Sequence, residues 1–445
     1  MPLHEPGGQE MSKFVLAATG DSLLRRPCSV LKDNERFMAL IQLIRGADAA
    51  FTNLESHFNS WSERNYPIDG PGSYGATSPA IVDQYKWCGF NVLSRANNHV
   101  MDYGHNQILE EAVTLDHAGL THAGAGKNLA EAAAPAYLDT ANGRVALISL
   151  SSTFVPGTAA GKQRKDVQGR PGLNPLRVDE KYVLPREDFE KLKAIHSRLG
   201  FVRGVGKEEV TFLGRRFVLG DKHEIIRTAN KEDTERNIVA IKDARRAADY
   251  VLVSFHHHND SIFIENPDLF HVPEDYVQDF SRECIDAGAD VIIGHGPHIL
   301  QGIEMYKGKP IFYSLSNFFY ETDLVEKFPQ EIYDRMGLGP EATPQDVIDA
   351  RKRVRTATGN VQSGEWHMKW YEALLVLCSW SGGKLIELKL YPVTSYHESR
   401  AQSGRPWLAD ERYGKEIIDY VASDRYSGRW GTKIVFENGV GHVRL

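Results

Sequence analysis

The chain has 445 residues, 42% of them apolar and 25% charged, which allows a sizeable core and one large domain or two ordinary ones. Its 52 Lys and Arg against 59 Asp and Glu leave a net charge of −7 with no basic block, which argues against a dedicated nucleic-acid binder, because phosphate contacts need clustered cations. Cys28, Cys88, Cys284 and Cys378 form no CxxC pair, so neither a disulfide framework nor a cysteine zinc site is expected.

The polar start "MPLHEPGGQEMSK" lacks the basic and apolar regions of a signal peptide and is expected to be flexible over residues 1–12. "FVLAATGD" (14–21) reads as a buried strand, and "NERFMALIQLIRGAD" (34–48) places Phe37, Leu40, Ile41 and Ile44 on one helical face. "AAFTNLES" (49–56) is the next strand, "PAIVDQYKWCGF" (79–90) a helix and "NVLSRANNH" (91–99) a strand. "NQILEEAVTLDHAG" (106–119) is a helix closed by Gly119, and "LTHAG" and "RVALISLSS" (144–152) are further strands. This βαβα order predicts a parallel or mixed sheet with helices on both faces. Residues 153–235, rich in Gly, Pro, Arg and Lys, interrupt it and read as an insertion over one sheet edge.

The rhythm resumes with a helix at 234–248, a strand at 249–258, a helix at 273–288 and strands at 290–296 and 310–317. Residues 321–365 are polar and charged, which predicts a helical excursion or lid, and 366–445 supply C-terminal strands that complete the same domain begun at 13–320. "YEALLVLCSW" and "KLIELKLYPV", joined by Ser-Gly-Gly, predict an antiparallel hairpin, and "GTKIVFENGVGHVRL" a last one. No apolar run approaches the roughly 20 residues of a membrane span. The expectation is therefore a soluble cytoplasmic protein with neither nucleic acid nor membrane as a partner.

Polar residues collect at strand ends: Asp21, then Asn53 and Glu55, then Asn97, Asn98, His99 and Asp102. The run "SFHHHND" adds His256, His257, His258, Asn259 and Asp260, "IIGHGPH" adds His295 and His298, and "YSLSN" ends in Asn317. Singly, each has a commonplace reading as a turn residue, a cap or a satisfied core histidine. Together, at the carboxyl ends of successive strands, they converge on one crevice. Carboxylate, carboxamide and imidazole groups form the ligand set of a hydrolytic metal centre. Because strand side chains alternate, His256 and His258 face the crevice and His257 packs behind.

The order of "GD", "NLE", "NNHVMDYG", "GAGKNLAEA", "GHGPH" and "YSLSNF" resembles the CapA family, whose founding members serve poly-γ-glutamate capsule synthesis. The resemblance implies a calcineurin-like metallophosphoesterase fold, a four-layer α/β/β/α sandwich with two packed mixed sheets, here carrying the insertion and a C-terminal hairpin extension. It implies Asp21, Glu55, Asn98, His256, His295 and His298 as ligands of one or two divalent ions (Mn, Zn or Fe), and His99 as general acid or charge stabiliser; Asp102, among the polar residues of the same strand end, is expected to be catalytic with it. The usual first-motif Asp-x-His is absent, because Asp21 is followed by Ser22 and Leu23; His258 is the candidate replacement ligand. Asn53, Asn97 and Asn317 are expected to bind substrate, as are Arg170 and Arg177 of the insertion, whose forked guanidinium groups suit an anionic small molecule or peptide-like substrate. The function this implies is a metal-activated water attacking an amide bond, γ-glutamyl-like or cyclic. A phosphoesterase and a non-catalytic accessory protein of polymer synthesis are the alternatives.

Overall fold

The structure, a computed structural model, describes residues 13–68, 74–258, 272–357 and 368–445, with the backbone alone over 354–357. The expected flexible start (1–12), Asn259, Asp260 and the end of the expected lid lie outside these residues. Among the described residues ten strands form one mixed sheet and six form a second. In the first, Lys13–Leu23 runs parallel to Ala49–Leu54 and Asn317–Tyr320 and antiparallel to Glu372–Ser381. In the second, Gly143–Ser151, Tyr250–His256, Val291–His295 and Lys309–Phe312 run parallel. These strands are buried along almost their whole length, which accounts for their near-continuous apolar runs.

One core cluster takes side chains from both sheets, including Leu16, Phe51 and Val376 from the first and Leu147, Leu252 and Ile293 from the second. A second lies between Ala17, Ala50 and Leu93 of the first sheet and the helices Glu35–Arg45 and Val82–Cys88. A third joins Ile148, Val253 and Ile292 of the second sheet to the helices Lys231–Ala247 and Asp275–Ala287. The helix Glu35–Arg45 shows how sequence makes such a layer. Asn34 caps it by accepting from the Phe37 N–H at 2.9 Å, and Phe37, Leu40, Ile41 and Ile44 form its buried face. Two hairpins extend the first sheet, one turning at Gly382-Gly383 (φ +57° and +73°) and the other at Asn438-Gly439 (φ +52° and +79°), the paired positive φ values of type I′ turns.

Two local expectations are corrected, and the insertion holds structure that was not anticipated. Residues 310–317 are not one strand: Lys309–Phe312 pairs with Val291–His295 in the second sheet, whereas Asn317 pairs with Asp21 in the first. Ser316, at φ +62°, turns the chain between them. The strand at 91–99 ends at Ser94, and Asn97 accepts the His99 N–H at 3.1 Å, which holds the following segment in a turn. The insertion carries a four-stranded sheet of its own, from Val178–Pro185, Glu209–Phe212, Arg215–Gly220 and Glu224–Ala229, beside the helix Arg186–Arg198. Among the described residues, no helix is long and apolar enough to cross a membrane.

A buried ionic knot fixes the segment between the strands Ala49–Leu54 and Val92–Ser94. Glu111, on the helix Gly104–Ala118, accepts from Arg95 Nε at 2.8 Å and from the Phe58 N–H at 2.9 Å and meets His57 Nδ1 at 2.8 Å. Burial alone would raise the Glu111 carboxyl, but His57 and Arg95 outweigh it and hold it down to about 2. Glu111→Gln leaves the buried Arg95 guanidinium without a carboxylate and is expected to cost about 3–5 kcal/mol at neutral pH. A depressed carboxyl pKa stabilises above the unfolded value and loses that contribution as pH falls through the folded one. The gap between wild type and Glu111→Gln in urea unfolding should therefore be full at pH 7 and narrow as pH falls from about 4.5 toward about 2.

Candidate metal centre

The register of both sheets delivers polar residues to one place. Asp21 lies opposite Asn53 and Asn317 in the first sheet, and His256 lies opposite His295 in the second. Close backbone approach is required at two glycines. A Cβ on Gly20 would stand 1.9 Å from the Ser316 carbonyl oxygen, and one on Gly296 would stand 2.5 Å from that of His257. Gly296, at φ +111°, also directs its N–H to Asp21 Oδ2 at 2.9 Å.

Asp21 is fully buried. Its Oδ1 accepts from Asn53 Nδ2 at 2.8 Å and lies 3.3 Å from His295 Nδ1 and 3.8 Å from His256 Nδ1, and its Oδ2 is 3.6 Å from His298 Nδ1. His256 bridges the cluster: Nδ1 is 2.9 Å from His295 Nδ1, and Nε2 is 3.0 Å from Asn98 Oδ1 and 3.2 Å from His258 Nε2. Glu55 is fully buried, 3.8 Å from His298 Nε2, and among the described residues neither of its carboxylate oxygens has a hydrogen-bond partner. Three overlapping sets result: Asp21, His256 and His295; Glu55, His256 and His258; Asp21, Glu55 and His298. Within each set the ligand atoms lie within 4.8 Å of one another.

The electrostatics fit a cation. Burial and then the charge of Asp21 push the Glu55 carboxyl well above its ordinary range. Burial also raises Asp21, but its hydrogen bond to His295 and the nearby imidazoles bring it below the usual carboxylate value. Burial, followed by the neighbouring imidazoles, drives His256 and His258 well below the ordinary histidine range, so both stay neutral. Neutral imidazoles keep their lone pairs free for a divalent ion, and a bound cation would return the Glu55 carboxyl to its ionised, ligating state. An ion would also satisfy the two orphaned Glu55 oxygens, whose burial is otherwise costly.

The surrounding hydrogen bonds orient these groups. Ser254 Oγ meets His295 Nε2 at 2.7 Å and leaves Nδ1 facing Asp21, and the His258 backbone N–H donates to Thr153 Oγ1 at 2.8 Å. Such outer contacts set ring orientation and tautomer. His298, at φ +60°, meets Asn317 Oδ1 through Nδ1 at 2.8 Å, and its ring lies against Trp370. His99 Nδ1 meets Asp102 Oδ2 at 2.7 Å, and the same oxygen accepts the Gly75 N–H. The segment after Glu321 packs Val325, Phe328 and Ile332 against Tyr74 and Tyr103, beside this pair.

Of the expected site residues, Asp21, Glu55, Asn98, His256, His258, His295 and His298 come together, with His99 and Asp102 on the adjoining turn. Asn53 and Asn97 are fully buried behind the carboxylates. Asn53 holds Asp21, and Asn97 donates to the Leu54 carbonyl and to Asn53 Oδ1 and accepts from His57. Arg170 and Arg177 are not brought to the cluster. Arg170 donates to the Ala159 carbonyl, and Arg177 closes its fork on Asp233, with both contacts at 2.7 Å. His257 turns away and meets the Tyr313 carbonyl at 2.9 Å. Ser254, Thr153 and His57 were not anticipated. Ser254 could have been found, because it sits two residues before His256 on the same strand face.

Comparison with known proteins agrees with the motif order. The family described as "Bacterial capsule synthesis protein PGA_cap" matches residues 15–322. "Uncharacterized protein y4sH" of Sinorhizobium fredii is 32% identical over 97% of this chain and 93% of its own length. "PGA biosynthesis protein CapA" of Bacillus subtilis is 25% identical over 71% of this chain and 69% of its own length. "Capsule biosynthesis protein CapA" of Bacillus anthracis is 23% identical over 70% and 61%. A solved structure of a hypothetical protein from Thermus thermophilus aligns over 85% of this chain and 98% of its own with 12% identity and a TM-score of 0.35, too low to argue from. By the family match over most of its length and the relatives that share it, the chain belongs to the bacterial capsule synthesis PGA_cap family, the family of the CapA proteins.

Proposed function

We propose that this chain is a metal-dependent hydrolase whose substrate is an amide of the γ-glutamyl kind. The observation that carries this reading is Glu55: a fully buried carboxylate whose two oxygens are unpartnered among the described residues, next to Asp21 and a nest of imidazoles. Two mixed sheets sharing one core, each with helices on its other face, support the four-layer α/β/β/α order of a metallophosphoesterase-type sandwich. The names of the Bacillus relatives, for PGA and capsule biosynthesis, favour the amide over the phosphoester.

On this reading Asp21, Glu55, Asn98, His256, His258, His295 and His298 would hold one or two divalent ions, which would supply Lewis acidity and activate a water. His258 takes the place left by the missing first-motif histidine. Asp102 keeps the His99 proton on Nδ1, so that Nε2 exchanges protons with the leaving group. Asn53 and Asn97 position Asp21 from behind, and Asn317 positions His298. The rings of Tyr320 and Trp370 pack against His298, with centroids 6.2 and 5.5 Å away.

Asp21→Ala and His295→Ala should each lower bound metal more than roughly tenfold, since even outer-shell changes at such sites reach that size. Both should remain folded by circular dichroism. Unchanged metal content in both would overturn the ligand assignment. A screen of γ-glutamyl amides and phosphoesters should then give turnover on the amides that is lost in His99→Gln; turnover on phosphoesters alone would transfer the reading to that bond.

The triplet gives a sharper contrast. His258→Ala should lose metal, whereas His257→Ala should keep it and lose about 1–3 kcal/mol of stability, because its contact with the Tyr313 carbonyl is buried. Metal analysis and urea melts of the two variants separate the outcomes.

A further inference from the structure

Large exposed apolar side chains concentrate in the insertion. Its helix Arg186–Arg198 runs into the loop "LGFVRGVGK", and the hairpin between Glu209–Phe212 and Arg215–Gly220 turns at Leu213-Gly214. The two tips are held together. The Thr211 N–H donates to the Gly204 carbonyl at 2.7 Å, Gly206 N–H to that of Glu209 at 2.6 Å, and the Phe201 and Phe212 rings meet edge to face at 5.3 Å. Yet Leu199, Val202 and Leu213 stand 63%, 91% and 72% exposed. Leu213 does so at φ +49°, in a two-residue turn where the C-terminal hairpin uses Asn438. A bulky side chain at positive φ carries both a backbone and a solvation cost. Apolar residues that protrude together from neighbouring tips mark a contact surface rather than scattered exposure.

Charge identifies the kind of partner. Residues 196–216 hold five Lys and Arg against two acids, in a chain whose net charge is −7. Arg215 and Arg216 pair with Glu180 and Glu209. Arg198, Arg203 and Lys207 are exposed, and among the described residues they make no ion pair. A second copy docked on this face through a two-fold axis would set these cations against one another. An anionic lipid surface offers both what the leucine and valine tips need and what the three cations need.

We propose that the paired tips of the insertion, Leu199, Val202 and Leu213 flanked by Arg198, Arg203 and Lys207, dock the protein on the surface of an anionic bilayer. The sequence-based expectation of no membrane partner rested on the lack of a spanning run, and this proposal departs from it, because peripheral contact needs no spanning segment. The proposal does not rest on the metal-site reading.

The test is flotation of the full chain with phosphatidylcholine vesicles, with and without phosphatidylglycerol, at rising salt. Wild type should float with the anionic vesicles only, and less as salt screens the cations. Leu199→Ser/Val202→Ser/Leu213→Asn and, separately, Arg198→Glu/Arg203→Glu should each bind at least tenfold more weakly, with unchanged melting temperature. No preference of wild type for anionic vesicles would overturn the proposal. So would a wild-type dimer, seen by light scattering, that the triple variant makes monomeric, because the face would then be a contact between copies.

Discussion

Two carboxylates, Asp21 and Glu55, are buried side by side within reach of four imidazoles, and much of the arrangement around them answers that charge. Placing uncompensated carboxylates out of water costs several kcal/mol each. Asp21 is compensated in part by Asn53 and the Gly296 N–H. Glu55 has no such partner among the described residues, and His256 and His258 beside it, held neutral by burial, offer lone pairs rather than charge. A cation resolves both deficits at once, and on the proposed reading that is why so much polarity can collect inside an otherwise apolar body.

The architecture makes the cluster possible. Parallel strands of two sheets end at the same side, so each contributes side chains from just beyond its last apolar residue. The first sheet brings carboxylates and carboxamides, the second brings imidazoles, and the shared core between them sets their separation. The approach is tight enough that Gly20 and Gly296 leave no room for a Cβ. The turn carrying His99 and Asp102 is braced from below by Asn97, which His57 and the Glu111–Arg95 pair hold in turn. Rigidity at the site therefore reaches a helix whose own residues do not touch the cluster.

Much of this is legible in the sequence because a strand's apolar run stops where it meets the crevice. Asp21, Glu55, His256 and His295 stand at such stops, and the alternation of strand side chains predicts that His257 turns away from His256. Contacts between distant segments are not legible. His57 and Glu111 are 54 residues apart, and nothing local links them. Arg177 resembles an anion-binding residue until Asp233, 56 residues on, takes its fork. The small sheet of the insertion is hidden for a related reason: strands such as Glu224–Ala229 are mostly exposed and lack a strong apolar signal. At Ser316 an apolar run that reads as one strand serves two sheets, which only tertiary pairing decides.

The most direct test of the central claim is the metal content of the unaltered protein, purified without a histidine tag or chelator and measured by ICP mass spectrometry. The account predicts near-stoichiometric transition metal, one or two ions per chain, or uptake to that level when Mn, Zn or Fe is supplied. A chain that holds none and takes up none of these would contradict it.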